Sequence, residues 1–383
     1  MSLQYIINGR ILLPDATVEG KALAFDPATG RIEGLVDAPP KGADCINAQG
    51  LCVSPGLVDL HIHGYLGADT CDADPEGLRR MAYGIVQNGV TSFLPTTMTV
   101  SEEEIRASLD AVRGVLEESR TWEGAEILGV HAEGPFINPK KKGAQAQENI
   151  QVPNADFVLQ NADVIRAITL APEMDEGHAC IRRLAKEKGI LLSMGHTDAT
   201  FEQAMDAIAD GICHVTHLFN AMSPMTHRAP GVAGAALLAS GVSVELIADT
   251  FHVHPGLYSL VERLKGEDLI LVTDCTRAGG MPDGEYTLGG QPIFLSGIEC
   301  RLADGTIAGS VLKLNEAIRN VREHTALPLH TVVRMASLRP ARAIGEDGRI
   351  GSLESGKDAD ILLVDESFRV YRTIKKGRTV YQA

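Results

Sequence analysis

From residue 52 onward the chain alternates short apolar runs with stretches whose apolar residues recur every three or four positions. That alternation predicts repeated β/α units around a parallel sheet covered on both faces. Eight runs read as strands: Leu57–His61, Thr91–Pro95, Ile127–His131, Ala167–Leu170, Ile190–Met194, Ile212–Thr216, Val244–Ala248 and Leu269–Thr273. Between the second and third, Ser101 followed by Glu104 forms a capping box, and Ile105, Leu109, Val112 and Leu116 then fall on one helical stripe. That stripe packs a helix against the outside of the sheet. Eight strands, each followed by a helix, close as a (β/α)₈ barrel, so the predicted fold class is α/β and TIM-like. The two ends follow a different pattern. Residues 3–53 hold short β-rich runs broken at Asn8-Gly9, Pro27 with Gly30 and Pro39-Pro40, and residues 345–383 hold further strand-like runs such as Ile361–Val364 and Thr379–Tyr381. The expectation is one small β-sandwich built from both termini, residues 1–53 with 345–383, and a barrel over 54–344 inserted between them.

Composition narrows the function classes. A chain of 383 residues accommodates a barrel of roughly 250 residues plus a small module. With 44% apolar and 22% charged residues it is globular. A net charge of −15, without a basic stripe, excludes nucleic acid as a partner. A small anionic substrate stays compatible, because one or two placed cations suffice to bind it. The seven cysteines are scattered and form no C-x-x-C pair, which speaks against a disulfide framework or thiolate zinc site and for a cytoplasmic home. The residues Met1 to Gly9 carry no export pattern, and the apolar stretch Val232 to Val244 is too short to span a membrane.

The residues that end the predicted strands carry the chemistry, because barrel sites form at the C-terminal rim. The first strand runs into His61-Ile62-His63, the third into His131-Ala132-Glu133, the fifth into Gly195-His196, the sixth into Thr216-His217 and the eighth into Thr273-Asp274. His61 and His63, two apart on an extended strand, point to one face and can clamp an ion. A lone His-x-His is a generic pattern; four further strand ends with metal-binding residue types make it specific. Nitrogen and oxygen donors suit Zn²⁺ or Fe²⁺ first, with Mn²⁺ and Co²⁺ accepting the same set, and leave a position for water. A bound ion lowers the pKa of that water to about 7, so hydroxide is available at neutral pH and Asp274 is free to move protons. Other residues have plainer readings. His131 lies one layer deeper than Glu133 and reads as a hydrogen-bonded core residue, His214 and His254 are weaker candidates, and Cys275 reads as packing.

The segments Pro55-Gly56-Leu57-Val58-Asp59 with His61 and His63, Gly129-Val130-His131-Ala132-Glu133-Gly134-Pro135-Phe136, Gly195-His196-Thr197, Thr216-His217-Leu218-Phe219-Asn220-Ala221-Met222 and Leu271-Val272-Thr273-Asp274 closely resemble the N-acetylglucosamine-6-phosphate deacetylase family of the amidohydrolase superfamily. Thr169-Leu170-Ala171-Pro172-Glu173 and Ile307-Ala308-Gly309-Ser310 extend the likeness. The resemblance implies that Glu133, His196 and His217 bind the principal ion, that Asp274 is the general acid/base, and that His252 contacts the substrate carbonyl. Asn220, Ala221 and Arg228 would hold the sugar phosphate, with Gln145 and Ile307 as further substrate contacts. Some family members lack the His-x-His. This chain keeps it, so His61 and His63, with Glu133 as a bridge, resemble a second metal site, Asp274 counts among the implied metal-binding residues, and one or two ions are expected per subunit. The implied reaction is attack of metal-bound hydroxide on the acetyl group of N-acetylglucosamine-6-phosphate, with Asp274 relaying the water proton to the leaving amine. Arg228 suits phosphate through its planar fork and acts in its own chain or across a homodimer interface, whereas Lys140, Lys141 and Lys142 read as a solvated run. Related dihydroorotase-like and dipeptidase-like hydrolases bridge their ions with a carboxylated lysine. No lysine stands at a ligand position here. The galactosamine isomer of the substrate stays open.

Overall fold

The computed structural model describes residues 3–187 and 189–383. Met1 and Ser2 of the expected terminal module, and Lys188, lie outside them. The barrel strands are Leu57–Ile62, Val90–Thr97, Val130–Glu133, Ile165–Leu170, Leu191–Met194, His214–Val215, Ser243–Ile247 and Leu269–Val272, pairing in parallel in chain order. The second is buried at all eight positions, as a strand covered on both faces must be. The third is preceded by a short separate piece, Glu126–Ile127, and resumes beyond Leu128-Gly129, where Gly129 takes φ +137. A Cβ on Gly129 would lie 2.7 Å from the Val164 carbonyl, so the kink needs glycine. The sixth strand keeps only two residues of the predicted Ile212–Thr216, because the chain turns at once into the His217 loop.

The ring closes at the site. Strands one and eight are joined by Asp274 N donating to His61 O at 2.8 Å and His63 N donating to Cys275 O at 2.8 Å. Two strand ends that carry candidate site residues therefore abut. On the outside, the helix Glu102–Ser119 starts in the predicted capping box, Ser101 Oγ accepting from Glu104 N and Glu104 Oε2 from Ser101 N. Its buried stripe runs through Ile105, Leu109, Val112 and Val115; Leu116 is only half-buried, since a 3.6-residue turn carries it past the edge of the contact. One element departs from the expected plan. Between the eighth strand and its helix Leu314–His324 stands an antiparallel meander, Gly284–Leu288, Gln291–Ser296 and Glu299–Leu302. Its first strand brings Leu288, and the loop after its last strand brings Ile307, to the mouth of the barrel.

Both termini do build one small β module. A four-stranded sheet contains Gln4–Ile7, Ala22–Asp26, Arg31–Val36 and Asp44–Asn47, and a six-stranded sheet joins Arg10–Leu12, Thr17–Val18 and Cys52–Pro55 to Ile361–Val364, Val370–Lys375 and Arg378–Gln382. Ile6, Phe25, Ile32, Val53, Ile361 and Ile374 fill the space between them. Lys375 fastens this module to the barrel. Its buried Nζ donates to the carbonyls of Ser119, Trp122 and Gly124 at 2.8, 3.2 and 2.7 Å, where the helix Glu102–Ser119 ends. Burial pushes its ammonium down to about 8. The unfolded chain holds that proton up to about pH 10.4, so stability should rise as pH climbs through the interval between the two values. Lys375→Met leaves three buried acceptors without a donor and is expected to cost about 2–4 kcal/mol and to flatten this rise. Urea-denaturation midpoints across that interval check both effects; a variant as stable as wild type throughout contradicts them.

Candidate active site

The rim gathers the strand-terminal residues into two donor groups that share Glu133. In the first, Glu133 Oε1 lies 3.2 Å from His196 Nε2 and 3.1 Å from His217 Nε2. In the second, Asp274 Oδ1 lies 3.2 Å from His63 Nε2 and 3.5 Å from His61 Nε2. Glu133 spans both, its Oε1 3.3 Å from His61 Nε2 and its Oε2 3.4 Å from His63 Nε2. All six residues are buried. His196, His217 and Asp274 sit at φ +47, +32 and +51, a left-handed backbone that non-glycine residues rarely adopt. Such strain clusters where the surrounding fold holds a side chain in a required direction.

The donor chemistry fits a divalent ion. His61 Nδ1 contacts Glu245 Oε2 at 2.9 Å, His63 Nδ1 contacts Thr96 O at 3.2 Å, and His196 Nδ1 contacts Lys141 O at 2.9 Å. These partners accept hydrogen bonds, so in the neutral rings the proton sits on Nδ1 and Nε2 carries a lone pair. Yet His61 and His63 bring their Nε2 atoms within 3.3 Å of each other, and His196 and His217 within 3.1 Å. Lone pairs and carboxylates converging at that range repel unless positive charge stands between them. The electrostatics agree. Burial disfavours the cation, yet Glu245, Glu133 and Asp274 push His61 up to about 9. His63 is likewise raised, its burial outweighed by Asp274 and Glu133. Oxygen and nitrogen donors with no thiolate suit Zn²⁺ or Fe²⁺.

Around these groups lies a cavity of about 350 Å³. His252, Asn220, Ala221, Gln145 and Ile307 line it, as do Lys140 and Lys141. His252 is anchored by its Nδ1 on Asp249 Oδ2 at 2.6 Å, while Asp249 Oδ1 also accepts the backbone N–H groups of Phe251 and His252. Gln145 turns toward Glu133: its Nε2 donates to Glu133 Oε2 at 2.5 Å and its Oε1 accepts from Thr99 N at 2.6 Å. Arg228 is placed elsewhere. It is exposed in the 226–229 turn and does not line the cavity of its own chain. The lysine run also needs correction. His196 holds the Lys141 carbonyl, which draws this loop over the rim, so Lys141 borders the cavity with only 25% of its side chain exposed while Lys140 stays 78% exposed.

His131 has both ring nitrogens engaged, by Leu60 O at 3.0 Å and Thr169 Oγ1 at 2.7 Å, and burial pushes it down to about 3. It is a neutral support under the site. Two acidic residues escaped the sequence reading, Glu245 and Asp249. Glu245 had a signal: a carboxylate in the apolar run Val244–Ala248 faces the barrel interior, where burial demands a partner.

A barrel with donor groups of this kind on its C-terminal rim is the architecture of an enzyme site that could hold a divalent ion. The match of residues 52–380 to the Amidohydrolase family agrees. The chain belongs to that family and, within it, to the N-acetylglucosamine-6-phosphate deacetylases. It is 40% identical over 344 residues, 88% of either chain, to N-acetylglucosamine-6-phosphate deacetylase of Lysinibacillus sphaericus. It is 37% identical over 339 residues, 87% of this chain and 88% of the other, to N-acetylgalactosamine-6-phosphate deacetylase of Escherichia coli O157:H7. The crystal structure of N-acetylglucosamine-6-phosphate deacetylase from Pasteurella multocida superposes with a TM-score of 0.93 at 32% identity, covering 100% of both chains.

Proposed function

We propose that the chain hydrolyses the acetamide of N-acetylglucosamine-6-phosphate to glucosamine-6-phosphate and acetate. One arrangement carries the reading: Glu133 stands within 3.4 Å of four imidazole nitrogens on the floor of the cavity, with Asp274 beside it. Glu133, His196 and His217 would hold the principal ion and His61, His63 and Asp274, sharing Glu133, a second. Zn²⁺ or Fe²⁺ is the preferred occupant. A divalent ion there supplies Lewis acidity, lowering the pKa of coordinated water to about 7. Asp274 accepts the proton of the attacking water and passes it to the sugar nitrogen as the C–N bond breaks, since an amine leaves poorly without it. His252, its ring anchored by Asp249, faces the acetyl oxygen.

Asn220, Ala221, Gln145 and Ile307 position the sugar from the cavity wall, and Lys141, its ammonium 3.5 Å from Asp198 Oδ1, borders them. Arg228 is assigned to the phosphate of a neighbouring subunit's substrate in a homodimer, because its exposed loop leaves it free to extend outward. A cytoplasmic setting matches the seven free cysteines. Among the described residues no helix is long and apolar enough to cross a membrane.

Acetate release from N-acetylglucosamine and N-acetylgalactosamine, each with and without a 6-phosphate, tests the substrate. The 6-phosphorylated glucosamine derivative is expected to show a kcat/KM at least about 100-fold above its unphosphorylated form, the effect of one or two charge-assisted contacts. Equal turnover of the two would overturn the phosphate assignment. Faster turnover of the phosphorylated galactosamine isomer would replace the named substrate.

A further inference from the structure

Glu245 lies beneath both donor groups and touches neither cavity nor solvent. It is the third residue of the strand Ser243–Ile247, with a side chain 1% exposed. Its Oε2 accepts from His61 Nδ1 at 2.9 Å and from the backbone N–H of His217 at 3.0 Å, while its Oε1 meets His214 Nε2 at 3.1 Å. Burying a carboxylate costs several kcal/mol unless its partners compensate. Here two of the three partners belong to residues of the two donor groups, one from each. His217 is also one of the residues held in the left-handed backbone region. We propose that Glu245 is a positioning residue that presets both ion sites at once, fixing the His61 tautomer and pinning the strained His217 backbone.

The chemistry follows from the hydrogen bonds. A carboxylate on His61 Nδ1 keeps the proton there, so Nε2 presents its lone pair toward His63 and Asp274, and it makes the imidazole a stronger donor. The same oxygen holds His217 N–H, so the Glu133 group is braced from the same point. A glutamine at 245 can keep every contact: its carbonyl replaces Oε2, and its amide donates to His214, whose Nδ1 lies 2.6 Å from Ser243 Oγ and can carry the ring proton instead. Glu245→Gln thus removes the charge while keeping the contacts, with a tautomer change confined to His214. Glu245→Ala removes the acceptor and frees His61 to place its proton on Nε2, where it blocks ligation.

The inference rests on the two-ion reading above. Zinc binding by wild type, Glu245→Gln and Glu245→Ala, measured without substrate against a chromophoric chelator, tests it alongside thermal melting. The expected result is two ions for wild type, a Kd raised about tenfold at the weaker site in the glutamine variant, and a rise of about 100-fold at that site, with a smaller rise at the other, in the alanine variant. A glutamine variant with wild-type Kd values at both sites overturns the proposal, and so does an equal weakening of both sites that merely follows a fall in Tm. If the alanine variant does not fold, the isosteric glutamine variant decides alone. Wild type that binds no zinc would sink the two-ion reading and this one with it; two ions bound by wild type and an unchanged glutamine variant would sink this one only.

Discussion

Asp274→Asn is expected to lower kcat by about 10³-fold or more while KM stays within about threefold of wild type. An amide can neither take the proton of the attacking water nor deliver it to the sugar nitrogen, and both halves of the reaction need that transfer. Ground-state binding is assigned to other residues, Asn220, Ala221 and His252, which line the cavity without depending on the aspartate. The substitution is nearly isosteric, and Asp274 is tied to the fold mainly through its backbone, its N–H on His61 O and its carbonyl accepting from Ser310 N, each at 2.8 Å. Folding should therefore survive. Steady-state kinetics with elemental analysis of the same sample separates the roles: an inactive variant that keeps the ion on Glu133, His196 and His217 supports proton transfer. Full activity would remove Asp274 from the mechanism.

Stripping divalent ions is expected to lower activity below about 1% of the loaded enzyme and to reduce Tm by several degrees, both restored by Zn²⁺. The stability effect follows from the geometry: four imidazole nitrogens and two carboxylates converge within hydrogen-bonding range, and a cation resolves their mutual repulsion. An ion at a thousand times its Kd adds about 4 kcal/mol to the folded state. Differential scanning of chelated and reloaded protein reads this directly. Unchanged Tm and activity after exhaustive chelation would show that these residues bind no functional ion.

Much of the fold was legible because barrel strands and their helices announce themselves locally. The run Val90–Thr97 is apolar or neutral throughout, and Ser101 with Glu104 marks a helix start that the structure reproduces. The residues that gather on the rim were legible for the same reason, since each lies at or just beyond the end of a barrel strand. What escaped depends on contacts distant in sequence. Glu245 acquires its meaning from His61, 184 positions away, and no local pattern encodes that pairing. Lys141 was read by its charge, whereas its position follows from its backbone carbonyl, which meets His196 55 residues on. The meander 284–302 did carry a signal, the short apolar run Ile293–Leu295 bracketed by Gly289-Gly290 and Gly297, but a barrel template expects a helix there.

The central claim is that this chain releases acetate from N-acetylglucosamine-6-phosphate through an ion on Glu133, His196 and His217. The most direct measurement is simultaneous quantification of acetate and free amino sugar produced by metal-reconstituted and by chelated protein. Equimolar acetate and glucosamine-6-phosphate from the reconstituted sample, with chelated protein at background, is the predicted result; no acetate from the reconstituted sample, or equal rates from both, would contradict it.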